Sequence, residues 1–238
     1  MIDHLRNKFE ELKRGPFVTY SLLAVTTIMF LILTFNGGSE NIYTLIQYGA
    51  KVNEFIYLGD WWRLITPIFL HIGLAHFAYN SLIVYFLGME LEGLIGPLRF
   101  FLLYLGSGVL GNLASFALNN SVSAGASTAI FGMFASTIVL GKLYPYHSGI
   151  QRLSRNYITL IALNVIFGLF SSSIDNAGHV GGLIGGYLLM YALSSRNALN
   201  NPKKQRLIYA LAYLGILIGL YLIGYLRVDR LYMLGALS

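Results

Sequence analysis

Four side chains set within apolar stretches can do acyl-transfer chemistry: Ser127, His179, His76 and Asn80. A serine hydroxyl is a weak nucleophile until a base takes its proton, and His179 is the candidate base. Ser127 follows Gly125 and Ala126 at the start of an apolar segment, so it should sit at a helix N-terminus. Free N–H groups and the positive dipole end there would stabilise a developing oxyanion. His76 and Asn80, four residues apart, share one helix face and offer side-chain donors to the same anion. His71, five residues before His76, points elsewhere and is expected to serve a loop. Asp175, four residues before His179, reads as an outer-loop residue, so the expected arrangement is a dyad. Each of these residues alone would be ordinary: a buried serine bonded back to its own helix, or a packing histidine.

The case for chemistry rests on common depth. The chain of 238 residues is 56% hydrophobic and 11% charged, against roughly 25% charged in a soluble domain. Apolar spans at about 17–35, 71–89, 98–118, 125–141, 157–171, 177–194 and 207–226 suit about 30 Å of hydrocarbon. At 1.5 Å of rise per residue, Ser127, His76 and His179 each lie about 20 Å from the cytoplasmic end of their spans. Polar groups at such depth face a bundle interior or a wet cavity. The first span lacks a small-x-small cleavage pattern and is expected to stay as a helix.

The net charge of +6 is a matter of orientation rather than nucleic acid. With the N-terminus in the cytoplasm and seven spans, only Lys51, Arg63, Arg227 and Arg230 fall outside, and every other Lys and Arg falls inside. The chain has no cysteine, which removes disulfides and thiol chemistry. The expected organisation is a cytoplasmic lead at 1–16, a six-helix core at 17–195, a cytoplasmic linker at 196–206, and a C-terminal helix with a short outer tail at 207–238. The outer loop at 37–70 carries Tyr57, Trp61 and Trp62, read as a segment in the membrane interface. On the sixth span, Gly182 and Gly186 share the His179 face and allow close approach of a neighbour, expected to be the span bearing Gly132 and Ala135.

At these residues the sequence resembles the rhomboid intramembrane serine proteases. The motifs are Trp62-Arg63; His71, His76 and Asn80; Glu92 and Gly96; Gly125 and Ser127; and Gly178, His179, Gly182 and Gly186. The resemblance implies an all-α polytopic membrane protein, a six-helix bundle with a seventh C-terminal helix. It implies a nucleophile at Ser127, a base at His179, and an oxyanion site from His76, Asn80 and the Ser127 N–H. Gly125, Phe131, Trp62, Arg63, His71, Glu92, Gly182 and Gly186 would support these, with Phe131 on the catalytic imidazole. The implied substrates are single-pass membrane proteins cut in the outer part of their spans, with no metal, cofactor or nucleic acid. The expected location is a bacterial cell membrane, N-terminus cytoplasmic and C-terminus outside. One departure is visible: Thr128 stands where the family has a second glycine, a β-branched neighbour expected to narrow the site. A non-proteolytic relative that binds transmembrane helices is the alternative within the fold. A metal transporter using His71, His76 and His179 is weaker, since carboxylates within the spans are missing.

Overall fold

A computed structural model of the chain describes residues 15–169, 174–194 and 202–234, with 163–169 as backbone only. Most of the expected lead, the first part of the expected linker and the outer tail from 235 lie outside the described residues. The described chain is helical, with α1 Phe17–Phe35, α2 Ile42–Gln47, α3 Asn53–Tyr57, α4 Gly73–Ile95, α5 Pro97–Leu118, α6 Ser127–Leu143, α7 Ser148–Leu169, α8 Asn176–Leu193 and α9 Lys203–Met233. By length and composition α1, α5 and α9 are each able to cross a membrane, and α6 is a shorter apolar helix.

Among the described residues each expected span falls largely on a helix, but several helices outrun their spans. α7 begins at Ser148, so Arg152 and Arg155 lie on a helix rather than in a loop. α9 begins at Lys203 after Pro202, so the last residues of the expected linker are helical. Its 31 residues extend about 46 Å, well beyond a bilayer core. The reason is common to both: hydropathy marks the part of a helix that suits lipid, whereas backbone hydrogen bonding carries the helix on into polar sequence. α4 and α5 are joined through Gly96 alone, whose φ of +86° turns the chain directly into Pro97.

The outer loop is more ordered than an interfacial strip requires. It contains α2, α3 and two 3-10 turns, at Trp61–Leu64 and Thr66–Phe69. Arg63 ties it together: Nε donates to Asp60 at 2.9 Å, and one terminal nitrogen donates to the carbonyls of Ile46 and Ala50 at 2.8 and 3.0 Å. Trp61 and Trp62 are exposed, as interfacial anchors would be. Tyr57 departs from that expectation. Its ring packs on Tyr225 and Tyr232 of α9, and its hydroxyl donates to Asp229 at 2.8 Å.

α8 is wedged between α5 and α6 by two rows of glycine. A Cβ on Gly182 would overlap the Thr128 carbonyl, and one on Gly186 the Gly132 carbonyl. On the other side, Gly181 and Gly185 admit Leu110, Gly111 and Ser107 of α5. Glu92 of α4 accepts from the Val18 and Thr19 N–H groups at 2.9 and 2.8 Å and from the Thr19 hydroxyl at 2.7 Å. A carboxylate thus caps the N-terminus of α1, where orphan N–H groups and the dipole favour it.

Candidate active site

Ser127 is the first residue of α6. The chain enters it through Gly125 at φ +143°, whose N–H donates to the Pro67 carbonyl at 2.9 Å. A side chain at Gly125 is excluded twice over: the backbone lies in the glycine region, and a Cβ would stand 2.7 Å from His76 Cε1. The next N–H, of Ala126, donates to His71 Nε2 at 3.3 Å. His71 is fully buried, and this hydrogen bond ties it to the turn into Ser127. Its ring also meets His76 edge-on at 5.2 Å.

His179 lies in the first turn of α8, and its Nε2 is 2.9 Å from Ser127 Oγ. That distance is within the range over which a base takes a hydroxyl proton. Phe131, one turn along α6 from Ser127, stacks on the imidazole with centroids 4.1 Å apart and planes 14° from parallel. The ring plane is thereby fixed on one face. The glycine rows below make the approach possible, because α8 cannot bring His179 to α6 unless Gly182 lets the two backbones meet.

A cavity of about 450 Å³ opens over this pair and is lined by His76, Asn80, Gly125, Ser127, Phe131 and His179, among others. Asn80 Nδ2 is buried with no hydrogen-bond partner among the described residues. A buried donor left unmade is costly, and here it borders the cavity that Ser127 also lines, where an anion would take it. Thr128 lines the cavity, with its Cβ against Gly111 and its methyl against Gly111 and Gly178. Trp62, Arg63 and Glu92 do not line the cavity. Arg63 orders the outer loop, Glu92 caps the N-terminus of α1, and Trp62 is exposed. Ahead of α8, residues 171–173 lie outside the described residues, and Ile174 and Asp175 line the cavity.

A family model described as the Rhomboid domain matches residues 58–196. The chain belongs to the rhomboid family. It is therefore an all-α polytopic membrane protein, with the matched region holding both Ser127 and His179. Among relatives of this rhomboid, Rhomboid protease GluP of Bacillus subtilis is 41% identical over 88% of the chain and 41% of its own length. Putative rhomboid protease YdcA of the same organism is 35% identical over 74% of the chain and 87% of its length. Rhomboid protease AarA of Providencia stuartii is 31% identical over 74% and 71%. The chain thus spans less than half of the first relative and most of the other two.

Sequence reasoning placed Asp175 in the outer loop and Lys51 on the outer side but missed their partners around the rim. Asp175 is the N-cap of α8, accepting from the Gly178 N–H at 3.0 Å, and also from Ser115 Oγ and from Asn119 Nδ2 at 2.9 Å. Lys51 is fully buried, donating to Asn53 Oδ1 at 3.0 Å and to the Asn119 carbonyl at 3.1 Å. The one available signal was an aspartate three residues before Gly178, a spacing that suits an N-cap.

Proposed function

We propose that this rhomboid is a serine endopeptidase that hydrolyses peptide bonds in the outer part of transmembrane segments of single-pass membrane proteins. The observation that carries the reading is the 2.9 Å contact between His179 Nε2 and Ser127 Oγ at the floor of a cavity. In this mechanism His179 accepts the hydroxyl proton as Ser127 Oγ attacks the scissile carbonyl. The negative charge that develops on the carbonyl oxygen meets the Ser127 N–H, His76 and Asn80 Nδ2. His179 then gives the proton to the leaving amine, and a water admitted by the cavity releases the acyl group by the same steps in reverse. The relatives' names as rhomboid proteases support peptide-bond hydrolysis.

The catalytic core is taken as residues 17–195, in a bacterial cell membrane with the N-terminus cytoplasmic and the C-terminus outside. The proximity of Lys51 and Arg227 supports placing the 37–70 loop and the end of α9 on the same side. An intact substrate helix hides every central peptide group, so a substrate must unwind where it meets Ser127. The non-proteolytic reading is disfavoured because Ser127 and His179 are both present and in contact. The transporter reading has no donor set behind it: among the described residues no three His, Asp or Glu side chains cluster as ligands.

The test is reaction with a fluorophosphonate probe in reconstituted membranes. The probe is expected to label Ser127. Ser127→Ala and His179→Ala should each abolish labelling and cleavage of a single-pass reporter, and the double variant should be no worse, since the two act as one unit. Cleavage that survives in either single variant overturns the dyad.

A further inference from the structure

We propose that Asp175 and Lys51 are positioning residues: a hydrogen-bonded strut, joined through Asn119, that holds His179 at its distance from Ser127. The inference rests on the proposed dyad and deepens it. Asp175 is fastened to the helix that carries His179. Its carboxylate accepts the Gly178 N–H, and its carbonyl accepts the His179 N–H at 3.0 Å. Lys51 is fastened to the chain that carries Ser127. Its N–H donates to the Ser123 carbonyl at 2.9 Å and its carbonyl accepts the Ser123 N–H at 3.2 Å, four residues before the hydroxyl. Between them stands Asn119 at the end of α5, whose side chain donates to Asp175 while its carbonyl accepts from Lys51 Nζ.

The two halves of the dyad arrive on different elements, which the glycine contacts and the Phe131 stack join below the Ser127–His179 hydrogen bond. The strut spans the same two elements from the rim. Asp175 is no third triad member, because its oxygens serve Gly178, Asn119 and Ser115, and no hydrogen bond from the His179 ring reaches it among the described residues. Burying a lysine is costly unless an opposite charge and hydrogen bonds compensate. A fully buried Lys51 facing Asp175 and Glu54, with Arg227 opposing it, is therefore a tuned arrangement rather than a solvated charge.

Burial lowers the Lys51 ammonium from its ordinary 10.5 to about 8, with Asp175 and Glu54 acting the other way. The charge is present below that pH and lost above it. Turnover that depends on the strut falls as pH rises through about 8. Stability moves oppositely: between 8 and 10.5 the unfolded chain binds the more protons, so raising pH favours the folded state.

The experiment uses Lys51→Met and Asp175→Asn in the full chain, reconstituted with a single-pass reporter. Asn still caps a helix, so the second variant removes charge while keeping the fold. Each should lower kcat by roughly 10- to 100-fold, the scale of a small misplacement of reacting groups, with KM nearly unchanged. The double variant should be no slower than the slower single one, and the alkaline limb of kcat should vanish in Lys51→Met. Thermal unfolding should show the wild type, but not Lys51→Met, gaining stability from pH 8 to 10. Variants with wild-type kcat and an intact alkaline limb overturn the strut. Unfolding of wild type and Lys51→Met with the same pH dependence removes the buried cation it requires. Failure of the wild type to react with a fluorophosphonate at Ser127 defeats the dyad itself, a result read separately from either.

Discussion

α8 and α9 both lie against α5, yet they are attached in opposite ways. α8 meets α5 and α6 through glycine, backbone against backbone. α9 is tethered by side chains. Tyr213 donates to the Gly106 carbonyl at 2.9 Å, Tyr209 stacks on Tyr191 at 4.3 Å, Arg227 donates to the Ala117 carbonyl at 3.0 Å, and Asp229 accepts from Tyr57. Only 11% of the α9 apolar window is buried, against 67% for α5. Lipid gives helices little hydrophobic reason to associate, so close packing and polar contacts must do it. The helix that carries His179 uses the contact with no adjustable parts. The helix that carries no candidate catalytic group uses flexible ones.

The largest effect should therefore come from filling a glycine on α8. Gly186→Ala places a methyl into the Gly132 carbonyl, and neither backbone has a rotamer with which to retreat. Overpacking of this kind costs about 1–3 kcal/mol. Displacement of α8 by about 1 Å should cut the cleavage rate about 100-fold. Near-normal cleavage by Gly186→Ala would mean that α8 is free to shift, which removes the contrast with α9.

Arg227→Ala should have a smaller effect. It removes a charged donor from the Ala117 carbonyl at a half-exposed site, costing about 1 kcal/mol. Because Arg227 also repels Lys51, its removal should move the alkaline limb of turnover to higher pH. A thermal shift and a pH profile on the same preparation check both. A limb that moves down, or a loss of stability as large as that of Gly186→Ala, would show that α9 is part of the rigid core.

What was legible in the sequence follows the same division. Ser127, His76, Asn80 and His179 stand out because polar groups within apolar spans are few and their depths can be counted. Gly182 and Gly186 are legible because they share the His179 face. Gly181 and Gly185 were not, since a second glycine row has meaning only once α8 is known to be wedged between two neighbours. The roles of Lys51, Asp175 and Arg63 depend on partners distant in sequence, such as Asn119 for Lys51 and Ser115 for Asp175, and no periodicity encodes those pairings. The short α2 likewise left only a local trace, Asn41 accepting from the Tyr43 N–H at 3.0 Å as its N-cap.

The smallest effect is expected at Gly215, midway along α9, where a Cβ would meet nothing within 4 Å. In water, Gly→Ala inside an exposed helix gains roughly 0.5–1 kcal/mol, because glycine has more backbone freedom to lose on folding. That gain requires an unfolded state that is not helical. A segment in hydrocarbon must satisfy its own backbone groups, so it stays helical even when detached from its neighbours. The entropy that alanine saves in water is then already absent from both states. Gly215→Ala should leave the melting temperature of the reconstituted protein and its cleavage rate unchanged, within about 0.5 kcal/mol by this argument. A gain of the full aqueous size would mean that α9 leaves the bilayer when it detaches. A loss comparable to that of Gly186→Ala would mean that the Gly215 face is itself packed in the membrane, against a second copy or a lipid held in one place, and that α9 has a backbone contact of the kind that distinguishes α8.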